Sequence, residues 1–106
     1  MFGIYTDLVL QDYMQKKESN KLPIVLIHLK PAGLRDLCLD LYNKRYERKK
    51  DELAVYGFFG QHEDKAVMIK TIKNFDTSKF KPLINYLKKD TNKTEEKNIE
   101  LLAWLI

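Results

Sequence analysis

The chain has little of what covalent or metal chemistry usually requires. Its 106 residues include one cysteine, Cys38, two histidines and four glycines. A single cysteine cannot form an intramolecular disulfide, so nothing indicates an oxidising compartment and we expect a cytoplasmic protein. The HExxH, GxSxG and CxxC motifs and the glycine-rich phosphate loops are missing. We therefore expect no enzyme activity and no bound metal, cofactor or small-molecule substrate.

Long hydrophobic runs are also missing. The most apolar segment, residues 22–29 (LPIVLIHL), is far shorter than the roughly 20 residues that cross a bilayer. The N-terminus has no basic segment before an apolar one, which argues against a signal peptide. We expect no membrane association.

Apolar residues are nevertheless plentiful, at 44% of the chain. A chain of this length and composition can bury one hydrophobic core, so residues 1–106 are expected to form a single helical domain. The last residues, LLAWLI, lack a polar or glycine stop. That ending predicts that the sequence is the N-terminal part of a longer protein.

The clearest pattern is an amphipathic helix over residues 31–46, which begins at Pro31. Its apolar stripe, at helical spacing, consists of Leu34, Leu37, Cys38, Leu41, Tyr42 and Arg45. Proline suits the first helical turn because the N–H that it lacks would have no partner there. This segment is expected to be the central helix of the fold.

Other stretches of helical periodicity predict an all-α fold, a small bundle of five or six short helices. The further helices are expected at residues 2–14, 51–60, 65–75, 79–89 and 95–106, with polar connections at 15–21, 61–64 and 90–94. Asp51 and Thr94 are expected N-caps, Gly60 a C-terminal stop, and Pro82 a first-turn residue.

Residues 22–29 fit either a short helix or a buried strand, because periodicity does not separate the two over eight residues. We favour a helix starting at Pro23, since no second strand is available to pair with it. His28, inside this run, is expected to be a hydrogen-bonded core residue. The expected core is Leu34, Leu37, Leu41, Phe59, Ile72, Leu83, Ile84, Leu87, Leu102 and Trp104.

Positive charge is concentrated in the second half of the chain. The net charge is +4, yet residues 1–40 are neutral, and residues 65–89 carry seven lysines and one acid, Asp76. The predicted anion or partner surface consists of Lys70, Lys73, Lys79, Lys81, Lys88 and Lys89. A secondary basic cluster, placed at the C-terminal end of the central helix, consists of Arg45, Arg48, Lys49 and Lys50. Phe75 and Phe80 lie between the lysines, but their spacing assigns them to the core.

Two family resemblances bear on function. Residues 83–106 (LINYLKKDTNKTEEKNIELLAWLI) resemble the closing part of a Cro/C1-type helix-turn-helix domain, in which a recognition helix, a polar loop and a final helix follow one another. This resemblance implies DNA binding, although the chain lacks the Ala-x-x-x-Gly turn of that family. The number of short helices is similar to that of death-fold-like adaptor domains. This analogy of helix count implies a protein partner, although a fold does not fix a function.

The preferred hypothesis is a non-enzymatic helical adaptor that binds another protein or a further copy of itself. The alternative is a nucleic-acid-binding module that uses the basic region Lys65–Lys89.

Overall fold

The computed structural model describes residues 2–91 and 93–106, and within them it is all-α, as predicted, with no strand. The seven α-helices are α1 (Phe2–Glu18), α2 (Ile24–His28), α3 (Pro31–Arg45), α4 (Arg48–Phe59), α5 (Lys65–Lys73), α6 (Lys81–Leu87) and α7 (Glu96–Leu105). A one-turn 3₁₀ helix, Thr77–Phe80, leads directly into α6. The number of helices exceeds the expected five or six because each amphipathic stretch and the ambiguous segment form separate helices.

Helix α1 extends four residues beyond its predicted end. Asn20 adopts a left-handed conformation with φ of 58°, and the N–H of Lys21 donates to the carbonyl of Lys16 at 2.8 Å. This arrangement is a Schellman-type C-cap, for which asparagine is well suited. The expected loop at residues 15–21 was therefore wrong for its first four residues, because good helix formers precede the cap.

Segment 22–29 forms a helix, and Pro23 is the residue before it. Leu29 ends α2 in a left-handed conformation with φ of 45°. The Tyr13 hydroxyl donates to the main-chain oxygen of Leu26 at 2.7 Å. This buried hydrogen bond joins α2 to α1 and satisfies a carbonyl near the end of a five-residue helix.

Helix α3 begins at Pro31, as predicted, and Lys30 before it is extended, as a residue that precedes proline should be. Leu34 and Cys38 are fully buried, and Tyr42 is nearly so. Leu37 and Leu41 are only half-buried. The buried stripe of α3 is therefore narrower than the sequence pattern predicted, because residues four apart face the core directly.

Helix α4 begins three residues before the expected N-cap. Glu47 is the N-cap, and Asp51 lies inside the helix, where its carboxylate accepts a hydrogen bond from the Glu47 N–H at 2.9 Å. Asp51 thus stabilises the start of the helix from within its first turn. At the other end, Gly60 is the C-terminal stop, as predicted, with φ of 95°.

The remaining boundaries include a side-chain cap at the start of α5, whereas α6 and α7 begin without one. Asp64 accepts from the Ala66 N–H at 2.8 Å at the start of α5, which ends at Lys73, two residues earlier than expected. The predicted helix 79–89 is a 3₁₀ turn followed by α6, with Pro82 in the first turn. Thr94 is not the N-cap of α7, since Glu95 occupies that position. The Thr94 hydroxyl instead accepts from Asn98 Nδ2 at 2.7 Å.

The hydrophobic core contains side chains from all seven helices, and α7 packs most extensively on α4. Seven of the ten expected core residues are buried: Leu34, Phe59, Ile72, Leu83, Ile84, Leu102 and Trp104. The other three, Leu37, Leu41 and Leu87, are half-buried against the core. The basic residues of α5 and α6 therefore lie on the outer side of these helices.

Candidate interaction surfaces

The six lysines of the predicted anion surface are all exposed. Lys70 and Lys73 lie in the last turn of α5, and Lys79 lies in the 3₁₀ turn. Lys81 begins α6, and Lys88 follows its last residue. Because seven residues are close to two helical turns, Lys81 and Lys88 lie on the same side of α6, about 10 Å apart along its axis.

Lys79 and Lys81 interact electrostatically with the Asp76 carboxylate, but at distances too long for a salt bridge. None of the six forms a salt bridge within the part of the chain that the structure describes, whereas Lys16, Lys44 and Lys97 pair with nearby carboxylates. Asp76 uses its carboxylate to cap the 3₁₀ turn, accepting from the Ser78 N–H at 3.0 Å and from its hydroxyl at 2.8 Å. These hydrogen bonds lower the pKa of Asp76. The surface is therefore positive, and Asp76 partly offsets the charge of Lys79 and Lys81.

The phenylalanines of the basic region belong to the core, as expected. Phe80 has no exposed surface, and its ring stacks on Phe58 with centroids 5.0 Å apart. Phe75 lies 4.7 Å from the Phe59 ring. Phe80 is therefore not available to stack on a nucleobase. Phe75 and Tyr86 are both half-buried, so part of each ring is accessible.

Of the secondary basic cluster, the structure describes the side chains of Arg45 and Lys49. Arg45 donates from a guanidinium nitrogen to the main-chain oxygen of Trp104 at 2.5 Å, and its guanidinium carbon lies 5.9 Å from the centre of the Trp104 ring. Arg45 therefore anchors α3 to α7. Lys49 is exposed in the first turn of α4. The side chains of Arg48 and Lys50 lie outside the described residues.

Helix α1 forms a surface that the sequence reasoning missed. Leu10 and Met14, four residues apart, form a ridge along its outer side, which we call the α1 ridge. Between this ridge and α6 lies a groove of about 340 Å³, which Tyr86, Leu87 and Lys89 also line. The sequence of α1 did contain a signal for this surface. Its apolar residues lie on all sides of the helix, so they are more numerous than a single face can bury.

A second apolar groove lies between α2 and the start of α3. It has a volume of about 430 Å³ and is lined by Ile24, Val25 and His28, among others. Ile24 is 68% exposed.

His28 is exposed in this groove. The prediction of a core histidine was therefore wrong, because a five-residue helix presents its last side chain to solvent. Gly33 allows the close approach of Val25, whose Cγ1 would lie 3.3 Å from an added Cβ.

Reactive groups do not converge at either groove. Cys38 is fully buried, and this burial raises the pKa of its thiol, which disfavours the nucleophilic thiolate. In residues 2–91 and 93–106, the structure contains no group of three potential metal ligands. No described helix has both the length and the apolar character that a bilayer-crossing helix needs.

Comparisons with known proteins add no relative from which a role could be transferred. No protein-family model matches the chain, and no curated protein or solved structure matches it.

Proposed function

We propose that this chain is a non-enzymatic protein–protein interaction module that acts in the cytoplasm and binds its partner along the α1 ridge. The observation that supports this proposal is the exposure of Met14 beside an apolar groove. Met14 is 43% exposed, and with Leu10 it lines the groove between α1 and α6. A single exposed apolar residue is ordinary, but an apolar ridge next to a groove is typical of a contact surface.

The groove beside the ridge has the composition of a peptide-binding site. Leu10, Met14 and Leu87 provide apolar contacts, the ring of Tyr86 adds a large amphipathic surface, and Lys89 lies at the edge. Apolar contacts surrounded by polar groups are the usual anatomy of an interface, and tyrosine is enriched there. The groove fits the apolar face of an amphipathic helix.

A selection experiment tests this proposal. A display library of helical peptides would be selected on the immobilised chain, and enriched peptides would be measured against Met14→Glu and against Leu53→Glu. Leu53 is the matched control, because it is 70% exposed but lies on α4. We expect enriched peptides to lose at least tenfold in affinity with Met14→Glu and to bind Leu53→Glu normally. Equal binding of the enriched peptides to both variants would contradict the proposal, as would failure to enrich any peptide on a chain that also does not self-associate.

The second candidate function is nucleic-acid binding by the lysine surface. It is supported by the six exposed lysines, none of which forms a salt bridge in the described chain. Phosphates on a nucleic-acid backbone would supply counterions, and four to six contacts would give a slope of log affinity against log salt of roughly −3.6 to −5.4 for duplex DNA. The modest net charge of +4 and the burial of Phe80 argue for weak, non-specific binding.

Two triple variants with the same change in charge separate a defined site from general attraction. The first is Lys70→Glu, Lys73→Glu, Lys81→Glu, and the control is Lys21→Glu, Lys44→Glu, Lys93→Glu, all at exposed positions. Fluorescence anisotropy with duplex DNA and single-stranded RNA would be measured across a salt series. Similar losses in both variants, and no binding near physiological salt, are expected. Micromolar or tighter binding at physiological salt, lost only in the first variant, would instead establish the nucleic-acid site.

A further inference from the structure

The α1 ridge separates two depressions of opposite charge. On the α6 side, the groove ends at Lys89. On the other side, a depression of about 470 Å³ adjoins Leu10 and Met14 and is lined by Asp7 and Glu18, with two glutamines between them. One apolar ridge thus has a cation on one side and carboxylates on the other.

The charges on both sides lack partners. Lys89, Asp7 and Glu18 are exposed, and none of the three forms an ion pair with any residue that the structure describes. Asp12, also on α1, differs because Lys16 pairs with it at 3.2 Å. Lys17 of α1 is also exposed and unpaired among the described residues, but it lines neither depression.

We propose that the α1 ridge binds a second copy of this chain, with the two α1 helices parallel and a two-fold axis running along them. This inference rests on the proposed function and names its partner. A two-fold axis in that direction exchanges the two sides of the ridge, so Lys89 of one copy faces Glu18 of the other, and the reverse pair forms as well. Leu10 and Met14 of both copies meet between the pairs. Such an isologous interface uses one self-complementary surface twice.

The dimensions of the surface predict a weak dimer. The 17 residues of α1 span about 26 Å and the helix is about 10 Å wide, so its footprint is on the order of 260 Å². Stable interfaces bury about 800 Å² per partner. We therefore expect a dissociation constant on the order of tens to hundreds of micromolar. The experiment must include protein concentrations up to about 1 mM.

Charge reversal in trans tests this arrangement directly. Sedimentation velocity would be run on the unmodified chain, on Lys89→Glu, on Glu18→Lys and on an equimolar mixture of the two variants. Each variant alone brings like charges together at both contacts, so we expect roughly tenfold or greater weakening, since two exposed pairs change from attraction to repulsion. In the mixture both contacts are opposite in charge, so dimers should reappear at about the strength of the unmodified chain.

Apolar and salt controls complete the experiment. Met14→Glu should abolish dimerisation, whereas Leu53→Glu should leave it unchanged. Raising the salt concentration should weaken the dimer of the unmodified chain, because exposed ion pairs are screened. A variant that has lost its helical circular dichroism would be replaced by the milder Lys89→Gln or Glu18→Gln, for which weakening is still expected.

Two results would overturn the inference. The first is a monomer at all concentrations up to 1 mM, and the second is a mixture of charge variants that stays monomeric while the unmodified chain dimerises. If selected peptides bind the ridge while the chain stays monomeric, the partner is a different protein, and the interaction module stands without self-association. If neither peptides nor a second copy bind, the inference and the proposed function both fail.

Discussion

Two glycines of α4 should respond in opposite directions to substitution by alanine. Gly60 ends the helix with φ of 95° and ψ of 161°, a region that is accessible almost only to glycine. An added Cβ would also lie 3.3 Å from His62 Nε2. Gly57 lies within the helix, and a Cβ there meets no atom within 4 Å. The same chemical change is therefore strained at one position and unhindered at the other.

The expected magnitudes follow from these conformations. Gly60→Ala should lower the free energy of unfolding by about 1–3 kcal/mol, the usual cost of such a backbone conformation in a residue with a side chain. Gly57→Ala should raise it by about 0.5–1 kcal/mol, because alanine loses less backbone entropy in a helix. The two variants should thus differ by about 1.5–4 kcal/mol, with the unmodified chain between them.

Urea unfolding followed by far-UV circular dichroism measures these differences. The dependence of free energy on urea should be the same in all three proteins, since neither substitution changes the surface exposed on unfolding appreciably. A Gly60→Ala variant within 0.3 kcal/mol of the unmodified chain would show that the C-terminal stop of α4 does not need glycine. A destabilising Gly57→Ala would refute the open environment at that position.

Three further predictions use the same unfolding assay. Tyr13→Phe should lower the free energy of unfolding by about 1–3 kcal/mol, because a buried carbonyl of α2 loses its donor. Tyr5→Phe should lower it far less, because the Tyr5 hydroxyl is 3.3 Å from a carboxylate and only partly buried. Equal losses in the two variants would contradict the buried hydrogen bond. Leu34→Ala should lower the free energy of unfolding by about 2–5 kcal/mol, and Leu37→Ala, at a half-buried position, by about 1–2 kcal/mol. A larger loss for Leu37→Ala than for Leu34→Ala would place the core on the other side of α3. Burial raises the pKa of Tyr46 to about 12 from 10.0, so the folded chain holds this proton longer than the unfolded chain does, and stability should fall as pH rises from 10 towards 12. Tyr46→Phe should make that fall shallower, and an unchanged slope would contradict the shift.

Local residues determined where most helices start and stop. Pro31 and Pro82 restrict the backbone and lack an N–H, so they favour the first helical turn wherever they occur. Gly60 permits a conformation that other residues avoid, so the end of α4 was predictable. The exposure of the lysines and the enclosure of Phe75 and Phe80 also followed from helical spacing, because side chains three and four residues apart share one face.

Some helix boundaries could not be predicted from the sequence, because a capping residue can stabilise a helix end from more than one position. Asp51 stabilises the start of α4 from inside the helix, although the same residue type could equally stand before it. Asn20 closes α1 by adopting a left-handed conformation, which its neighbours in sequence do not require. In both cases the competing boundaries differ by only a capping interaction of about 1 kcal/mol, and packing decides between them.

The candidate interaction surface was decided by tertiary structure alone. The sequence shows that α1 has more apolar residues than one face can bury, but it does not show which of them face solvent. Packing of α1 on α7 and its hydrogen bond to α2 bury Tyr13 and leave Met14 and Leu8 exposed. The groove, and the position of Lys89 beside Met14, depend on residues more than 70 positions apart in the chain. Such distant neighbours are set by the arrangement of the whole core, which no local pattern encodes.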